Sequence, residues 1–139
     1  MKYNHNVQTE ILIVDDHPIV REGLKRIINE QSNLKVKDEA PNGELALKQI
    51  QASHFDLMIL DISLPGKSGY KILKEVKAIK PELPVLILSM HAEEHYANKM
   101  FQAGASGYLT KDNASENIVK AIEFVKSGKK YTEALSAKK

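Results

Sequence analysis

The 139-residue sequence contains no cysteine, no long hydrophobic run and little net charge, and each absence excludes a class of protein. Without cysteine, the chain has neither a disulfide framework nor a thiolate metal site. No apolar segment approaches the roughly 20 residues that span a bilayer, and the first ten residues lack the apolar core of a secretory signal. A net charge of +2 is too small to indicate nucleic-acid binding by this segment. We therefore expect one soluble, cytoplasmic domain with no membrane contact.

The sequence does contain short aliphatic runs that each end at polar residues. These runs are residues 11–14 before Asp15 and Asp16, 57–60 before Asp61, 85–88 before Ser89, and 107–110 before Lys111. Runs of this length between helical patterns are typical of buried parallel strands. Because ligands bind outside the carboxyl ends of strands in an open parallel sheet, we expect these polar side chains to meet at one edge.

Helical patterns separate the aliphatic runs. Pro18 is placed to be the first residue of a helix, a weaker strand covers Leu34 to Ala40, and Asn113 with Glu116 resembles a capping box. The apolar helical faces are Ile19, Val20, Leu24, Ile27 and Ile28; Leu45, Ala46 and Ile50; Ile72, Leu73, Val76 and Ile79; Tyr96, Ala97, Met100 and Phe101; and Ile118, Ala121, Ile122 and Val125. Five strands alternating with five helices predict a doubly wound α/β fold with a parallel sheet. Residues 129–139 lose this periodicity and are interpreted as a tail.

The residues at the strand ends suit the transfer of a phosphoryl group. A carboxylate such as Asp61 can accept phosphoryl as a mixed anhydride. Asp15 and Asp16, together with Asp61, supply the oxygen ligands that Mg²⁺ prefers. Lys111 is a compact cation suited to pairing with a phosphoryl oxygen. Taken singly, each has an ordinary alternative: an Asp that caps a turn or a helix start, or a solvated surface lysine.

In order along the chain, these residues resemble the receiver domain of two-component response regulators. The pattern is Asp15-Asp16, Asp61 with Pro65 and Gly69, Ser89, Tyr108, and Lys111-Asp112. Three segments are similar to the NarL/FixJ subfamily: Asp15-Asp16-His17-Pro18, Ser89-Met90-His91, and Gly104-Ala105-Ser106-Gly107-Tyr108. The resemblance implies a flavodoxin-like (βα)5 fold with a five-stranded sheet in the order 2-1-3-4-5. It implies a receiver domain over residues 8–128, and 129–139 as a tail or the start of a linker.

The resemblance also implies a role for each site residue. Asp61 would be the phosphoacceptor, and Mg²⁺ would be held directly by Asp16 and Asp61, through water by Asp15, and by the backbone carbonyl of Ser63. Lys111 would pair with the phosphoryl group. Ser89 would turn toward the phosphoryl group and free space for Tyr108 to swing inward, so that the two form a coupled switch. Met90, His91 and Ser63 would tune dephosphorylation.

The implied function is a signalling switch that catalyses only its own phosphorylation and dephosphorylation. The phosphoryl donor would be a sensor histidine kinase or acetyl phosphate, and the response would be a changed surface that controls a transcriptional output. The subfamily usually carries a C-terminal helix-turn-helix domain, which this sequence does not contain, so DNA would be reached only through such a domain. Homodimer formation on phosphorylation is left open.

Other functions are weighed on the same residues. An aspartyl-nucleophile phosphohydrolase of the haloacid-dehalogenase type needs an Asp-x-Asp pair, whereas Asp15 and Asp16 are adjacent. A flavodoxin-like cofactor site needs a small-residue phosphate loop where this chain has acids, which would repel a phosphate. An interaction module with a degenerate site would lack catalytic residues that are present here. His17 has two functional alternatives, a phosphohistidine and a metal ligand, but it is interpreted as a satisfied loop histidine. His5, His54 and His95 show no metal-like spacing.

Overall fold

The structure is a computed structural model that describes residues 7–64, 68–90 and 94–132, and the statements below refer to these ranges. The strands are β1 (Thr9–Val14), β2 (Leu34–Ala40), β3 (Leu57–Asp61), β4 (Val85–Ser89), β5 (Gly107–Thr110) and β6 (Tyr131–Thr132). The α-helices are α1 (Pro18–Asn29), α2 (Gly43–Ala52), α3 (Gly69–Ile79), α4 (Glu94–Gln102) and α5 (Ala114–Lys126), and a short 3₁₀ turn covers Lys111–Asn113. Among these described helices, none has the length and apolar character needed to cross a bilayer.

The strands form a single sheet in the order β2-β1-β3-β4-β5-β6, and all its neighbours are parallel. The predicted α/β class and the order of the first five strands are confirmed, but the prediction of a five-stranded sheet is wrong. The sixth strand forms because the N–H of Tyr131 donates to the carbonyl of Ser106 at 3.1 Å. Its ring is buried and meets Phe124 edge-on at 5.5 Å between centroids. Two residues are too few to show a period, so the sequence pattern could not reveal this strand.

The core has two apolar layers, one on each face of the sheet. In β1, Ile11 and Ile13 pack with α1 and α5, whereas Leu12 and Val14 pack with α2, α3 and α4. Every residue of β3 and β4 is buried. Because both faces are covered, the strands are continuous apolar runs rather than alternating ones, and this is why each run ends so sharply at the sheet edge.

The helix starts follow local chemistry, but the predicted capping box does not form and three residues assigned to apolar helical faces are exposed, namely Ile19, Leu45 and Ile79. Pro18 begins α1 as predicted, and Asn42 caps α2 by accepting from the N–H of Leu45 at 2.9 Å. Asn113 is the N-cap of α5, but its side chain donates to Thr110 Oγ1 at 3.3 Å and accepts no capping hydrogen bond, so the predicted capping box is wrong. Ile19 is 87% exposed, because nine residues at 100° each place it opposite the buried Ile28.

Candidate functional site

The parallel register brings four strand ends to one edge of the sheet. Val14 pairs with Leu60, Asp61 pairs with Leu88, and Ser89 pairs with Thr110. The residues that follow these pairs therefore lie side by side, as the sequence predicted. We call the resulting group the carboxyl-edge cluster and define it as Asp15, Asp16, His17, Asp61 and Lys111.

The Asp61 carboxylate is fully buried, and its two oxygens have different environments. Oδ1 accepts two hydrogen bonds from Ser63, one from the backbone N–H at 3.0 Å and one from the hydroxyl at 2.9 Å. Oδ2 lies 3.0 Å from the ammonium of Lys111. The sequence predicts two roles for Ser63, a carbonyl ligand of Mg²⁺ and a residue that tunes dephosphorylation, and both stay predictions; the two hydrogen bonds to Asp61 were not predicted. The carboxylate is thus fixed at one oxygen and faces a cation with the other.

The turn after Asp61 is closed by a glycine that no other residue can replace without movement. The N–H of Gly69 donates to the carbonyl of Ile62 at 3.2 Å, and a Cβ at this position would lie 2.2 Å from Ile62 Cα. Helix α3 therefore starts directly against the residue that follows Asp61. Pro65, which also belongs to the predicted motif, lies outside the described residues.

Lys111 begins the 3₁₀ turn after β5 and points into the cluster. Its side chain is only 10% exposed, and its ammonium lies 3.2 Å from Asp15 Oδ2 as well as 3.0 Å from Asp61 Oδ2. Asp15 is completely buried, and its backbone carbonyl accepts from Arg21 Nη1 at 2.5 Å. The structure therefore brings together residues 15, 61 and 111, which are distant in the sequence.

The sequence predicts an ordinary loop histidine at position 17, but the His17 ring reaches into this cluster. Nδ1 lies 2.7 Å from Asp15 Oδ1, 3.2 Å from Asp16 Oδ1 and 3.7 Å from Asp61 Oδ2. It also lies 3.0 Å from Lys111 Nζ. The signal that could have found it is its place between the acidic pair and Pro18, which restricts His17 to an extended backbone (φ −99°, ψ 107°).

The donor atoms of the cluster fit a divalent cation. One ligand atom from each of Asp15, Asp16, His17 and Asp61 lies within 4.8 Å of the others. Two buried carboxylate oxygens, Asp15 Oδ2 and Asp16 Oδ1, accept no hydrogen bond, although the first is ion-paired with Lys111. A buried carboxylate oxygen without a donor is unfavourable, and a hard cation such as Mg²⁺ satisfies it. The predicted metal residues Asp15, Asp16 and Asp61 are thus placed together.

The predicted switch and tuning residues surround the cluster. Ser89 is fully buried at the end of β4, and Tyr108 is 3% exposed. Tyr108 packs in the layer with α2, α3 and α4, and its coupled movement with Ser89 stays a prediction. Met90 follows Ser89 and is 64% exposed, and His91 lies outside the described residues. Their proposed effects on dephosphorylation stay predictions.

Comparison with known families places the chain. Residues 11–123 match the response regulator receiver domain. The chain belongs to this family. It is 36% identical over 121 residues to the response regulator UvrY of Escherichia coli K12, and the aligned region covers 87% of this chain and 56% of the relative. It is 34% identical over 118 residues to the fimbriae Z protein of Salmonella typhimurium, with 85% and 56% covered. The chain spans about half the length of these curated relatives.

Solved receiver structures agree with this assignment. A LuxR-family two-component response regulator from Aurantimonas sp. SI85-9A1 superposes with a TM-score of 0.85 at 34% identity, covering 90% of this chain and 89% of that one. The NarL receiver domain of Mycobacterium tuberculosis gives 0.82 at 32% identity, with 88% and 99% covered. These relatives support the NarL/FixJ-type subfamily, and the chain is a receiver domain of a two-component system.

Proposed function

We propose that this receiver domain is a signalling switch in which Asp61 accepts a phosphoryl group in a Mg²⁺-dependent reaction. The donor is the phosphohistidine of a sensor histidine kinase or a small acyl phosphate such as acetyl phosphate. The observation that carries the proposal is the Asp61 carboxylate, which is buried, held at Oδ1 by Ser63, and directed with Oδ2 toward Lys111. Buried carboxylate oxygens that accept no hydrogen bond lie beside it.

The arrangement supports the transfer through positioning and charge. A carboxylate oxygen of Asp61 attacks phosphorus, the bond from phosphorus to the donor nitrogen or oxygen breaks, and the bonding pair leaves with the donor. Asp15, Asp16 and Asp61 would hold Mg²⁺, which when bound neutralises charge on the phosphoryl oxygens. Lys111 is paired with Asp61 Oδ2. Once Asp61 Oδ2 carries the phosphoryl group, the ammonium would pair with a phosphoryl oxygen instead.

The response to phosphorylation would pass through Ser89 and Tyr108. Ser89 follows Leu88, which pairs with Asp61 in the neighbouring strand, so we expect its hydroxyl to reach a phosphoryl group on Asp61. Because Tyr108 is already buried, we expect phosphorylation to stabilise this arrangement against alternatives rather than to create it. The switch is then a shift of populations, and its size is set by the difference in phosphate contacts between the two states.

The lifetime of the phosphorylated state is expected to depend on the residues after Ser89. Met90 is large, exposed and directly follows Ser89, and we expect it to narrow the approach of water to the acyl phosphate. We therefore expect slow self-hydrolysis. Loss of phosphate from the purified domain within seconds would contradict this.

We expect the transcriptional output to be carried by a separate domain of a longer protein. Since the match covers only 56% of each of these curated relatives, we propose that a helix-turn-helix domain following the receiver contacts DNA. Phosphorylation would then alter the receiver surface, including its ability to form a homodimer.

Intact-protein mass spectrometry with acetyl phosphate tests the proposal. We expect one phosphoryl group per chain in the presence of Mg²⁺, none after chelation, and none in Asp61→Asn. Asp56→Asn is the matched control because Asp56 precedes the same strand at the opposite edge, and it should label normally. Labelling of Asp61→Asn at the wild-type level would contradict the assignment, and sustained turnover of p-nitrophenyl phosphate would indicate a phosphohydrolase instead.

A further inference from the structure

The imidazole of His17 has no part in the function proposed above, yet it touches every other member of the carboxyl-edge cluster. We propose that His17 is a ligand of the bound cation through Nδ1. The cluster then offers nitrogen as well as oxygen, and it favours first-row transition cations over Mg²⁺ more strongly than carboxylates alone would. The inference rests on the proposed function, because it uses the same cation site.

Without a bound metal ion, the contacts of Nδ1 with Asp15 and Lys111 require opposite hydrogen-bonding roles of this nitrogen. Nδ1 lies 2.7 Å from Asp15 Oδ1, an acceptor, and 3.0 Å from the ammonium of Lys111, which can only donate. A proton on Nδ1 suits Asp15 but faces the ammonium. A lone pair on Nδ1 suits Lys111 but faces the carboxylate oxygens. A divalent cation bound by both Nδ1 and the carboxylates would remove the repulsion between the Nδ1 lone pair and the carboxylate oxygens. Nδ1 would then carry no proton, so no proton would face the ammonium.

The spacing of the donor atoms agrees with a shared ion. Neighbouring ligands around a cation with bonds of about 2.1 Å are separated by about 3 Å. Nδ1 is separated from the oxygens of Asp15, Asp16 and Asp61 by 2.7, 3.2 and 3.7 Å. The 3.2 Å distance is to Asp16 Oδ1, a buried oxygen that accepts no hydrogen bond. The ring nitrogen and this oxygen are therefore spaced so that both could bind the same cation.

The backbone holds His17 in place for this role. Its N–H donates to Asp15 Oδ1 at 2.9 Å, and the following Pro18 fixes an extended conformation. The side chain is 53% exposed, so substitution should not disturb the core. Imidazole suits nickel and zinc, whereas Mg²⁺ prefers oxygen, so the nitrogen should act mainly on metal preference.

Pulsed electron paramagnetic resonance of bound Mn²⁺ tests the ligand directly. Mn²⁺ accepts oxygen sites, and a coordinated imidazole adds a nitrogen coupling to its spectrum. We expect this coupling in the wild type and its loss in His17→Gln, with Mg²⁺ displacing Mn²⁺ from both. His54→Gln is the matched control, since His54 is also exposed and bonded to an aspartate, at 2.8 Å from Asp56. Coupling that persists in His17→Gln, or that disappears in His54→Gln, would overturn the proposal.

Calorimetric titration with Ni²⁺ and Mg²⁺ gives an independent result. The preference for Ni²⁺ over Mg²⁺ should fall by about tenfold or more in His17→Gln, and an unchanged preference would overturn the inference. Failure here is distinguishable from failure of the proposed function. If acetyl phosphate labels Asp61 in a Mg²⁺-dependent way while the nitrogen coupling is absent, the ligand assignment alone is wrong. If labelling fails while the coupling is present, the phosphoacceptor role is wrong and His17 remains a ligand.

Discussion

Each end of the β-sheet carries acidic side chains with a histidine and a lysine, but the two groups are satisfied in different ways. At the amino ends of the strands lies the amino-edge cluster, which consists of Glu10, Lys37, His54 and Asp56. There Asp56 Oδ2 accepts from the N–H of Glu10 and Oδ1 from His54 Nε2, both at 2.8 Å, and Lys37 donates to the carbonyl of His54 at 2.6 Å. In the carboxyl-edge cluster, two buried oxygens accept no hydrogen bond.

This difference separates a hydrogen-bonded network from the cluster at which we propose that Mg²⁺ binds. The amino-edge cluster ties the start of β1 to the turn before β3, and both carboxylate oxygens of Asp56 accept hydrogen bonds. The carboxyl-edge cluster keeps unsatisfied oxygens, an unfavourable state that a protein retains where a ligand supplies the missing charge. Substitutions in the carboxyl-edge cluster should therefore change the response to added Mg²⁺, whereas substitutions in the amino-edge cluster should leave it unchanged.

The largest effect is expected from removing the buried lysine. Lys111→Ala leaves the carboxylates of Asp15 and Asp61 buried without their cation, which should cost about 3 kcal/mol of unfolding free energy in chelator. Mg²⁺ should restore more stability to this variant than to the wild type, because it replaces the missing charge. Denaturant unfolding with and without Mg²⁺ measures both values.

Lys37→Ala is the control for that experiment. Lys37 is 27% exposed and lies 3.4 Å from Glu10 Oε1, so its loss should cost about 1 kcal/mol or less and should not depend on Mg²⁺. If the two lysine variants lose equal stability, the proposed contrast between the edges fails.

The next effect concerns the Mg²⁺ response itself. At a Mg²⁺ concentration tenfold above its Kd, the wild type should gain about 1.4 kcal/mol, and Asp16→Asn should lose most of that gain. The same variant should be no less stable than the wild type in chelator, since it removes a carboxylate charge from the cluster. Thermal unfolding in parallel samples tests this, and an undiminished Mg²⁺ gain in Asp16→Asn would count against the site.

A smaller effect is expected from Asp56→Asn, with a defined pH dependence. Burial alone would raise the pKa of Asp56, but the hydrogen bonds from Glu10 and His54 hold that pKa below its ordinary value of 3.8. Its charge-linked stabilisation is therefore fully present above that ordinary value and is lost as pH falls through the lower pKa of the folded state. The stability difference between the wild type and Asp56→Asn should narrow over that acid range, and urea midpoints measured across it test the sign. A difference that widens toward acid would contradict the assignment.

The smallest effect is expected from His54→Ala. The ring is 71% exposed, so its ion pair with Asp56 should contribute about 0.5 kcal/mol or less. Neither the Mg²⁺ gain nor labelling by acetyl phosphate should change. A loss of either would show that the amino-edge cluster is more than structural.

The sequence predicts strand bounds and the meeting of the strand ends, but it does not predict very short strands or the directions of side chains in loops. The bounds of β2 and β5 are those predicted. Strand β5 is buried throughout and paired on both sides, which leaves a clear apolar run. Strand β2 is an edge strand that pairs only with β1, and its end is marked instead by the turn residues Pro41-Asn42-Gly43. The meeting of Asp15, Asp61 and Lys111 followed from parallel topology alone. Strand β6 was missed because two residues carry no period. His17 and Ser63 were underestimated because side-chain direction in a loop depends on local backbone angles that a residue pattern does not specify.

The most direct test of the central claim is ¹⁹F nuclear magnetic resonance of the domain with beryllofluoride, a mimic of the phosphoryl group. We predict bound fluoride resonances that appear only when Mg²⁺ is present and that vanish in Asp61→Asn but persist in Asp56→Asn. Bound resonances without Mg²⁺, or in Asp61→Asn, would contradict a cation-dependent phosphoacceptor at Asp61.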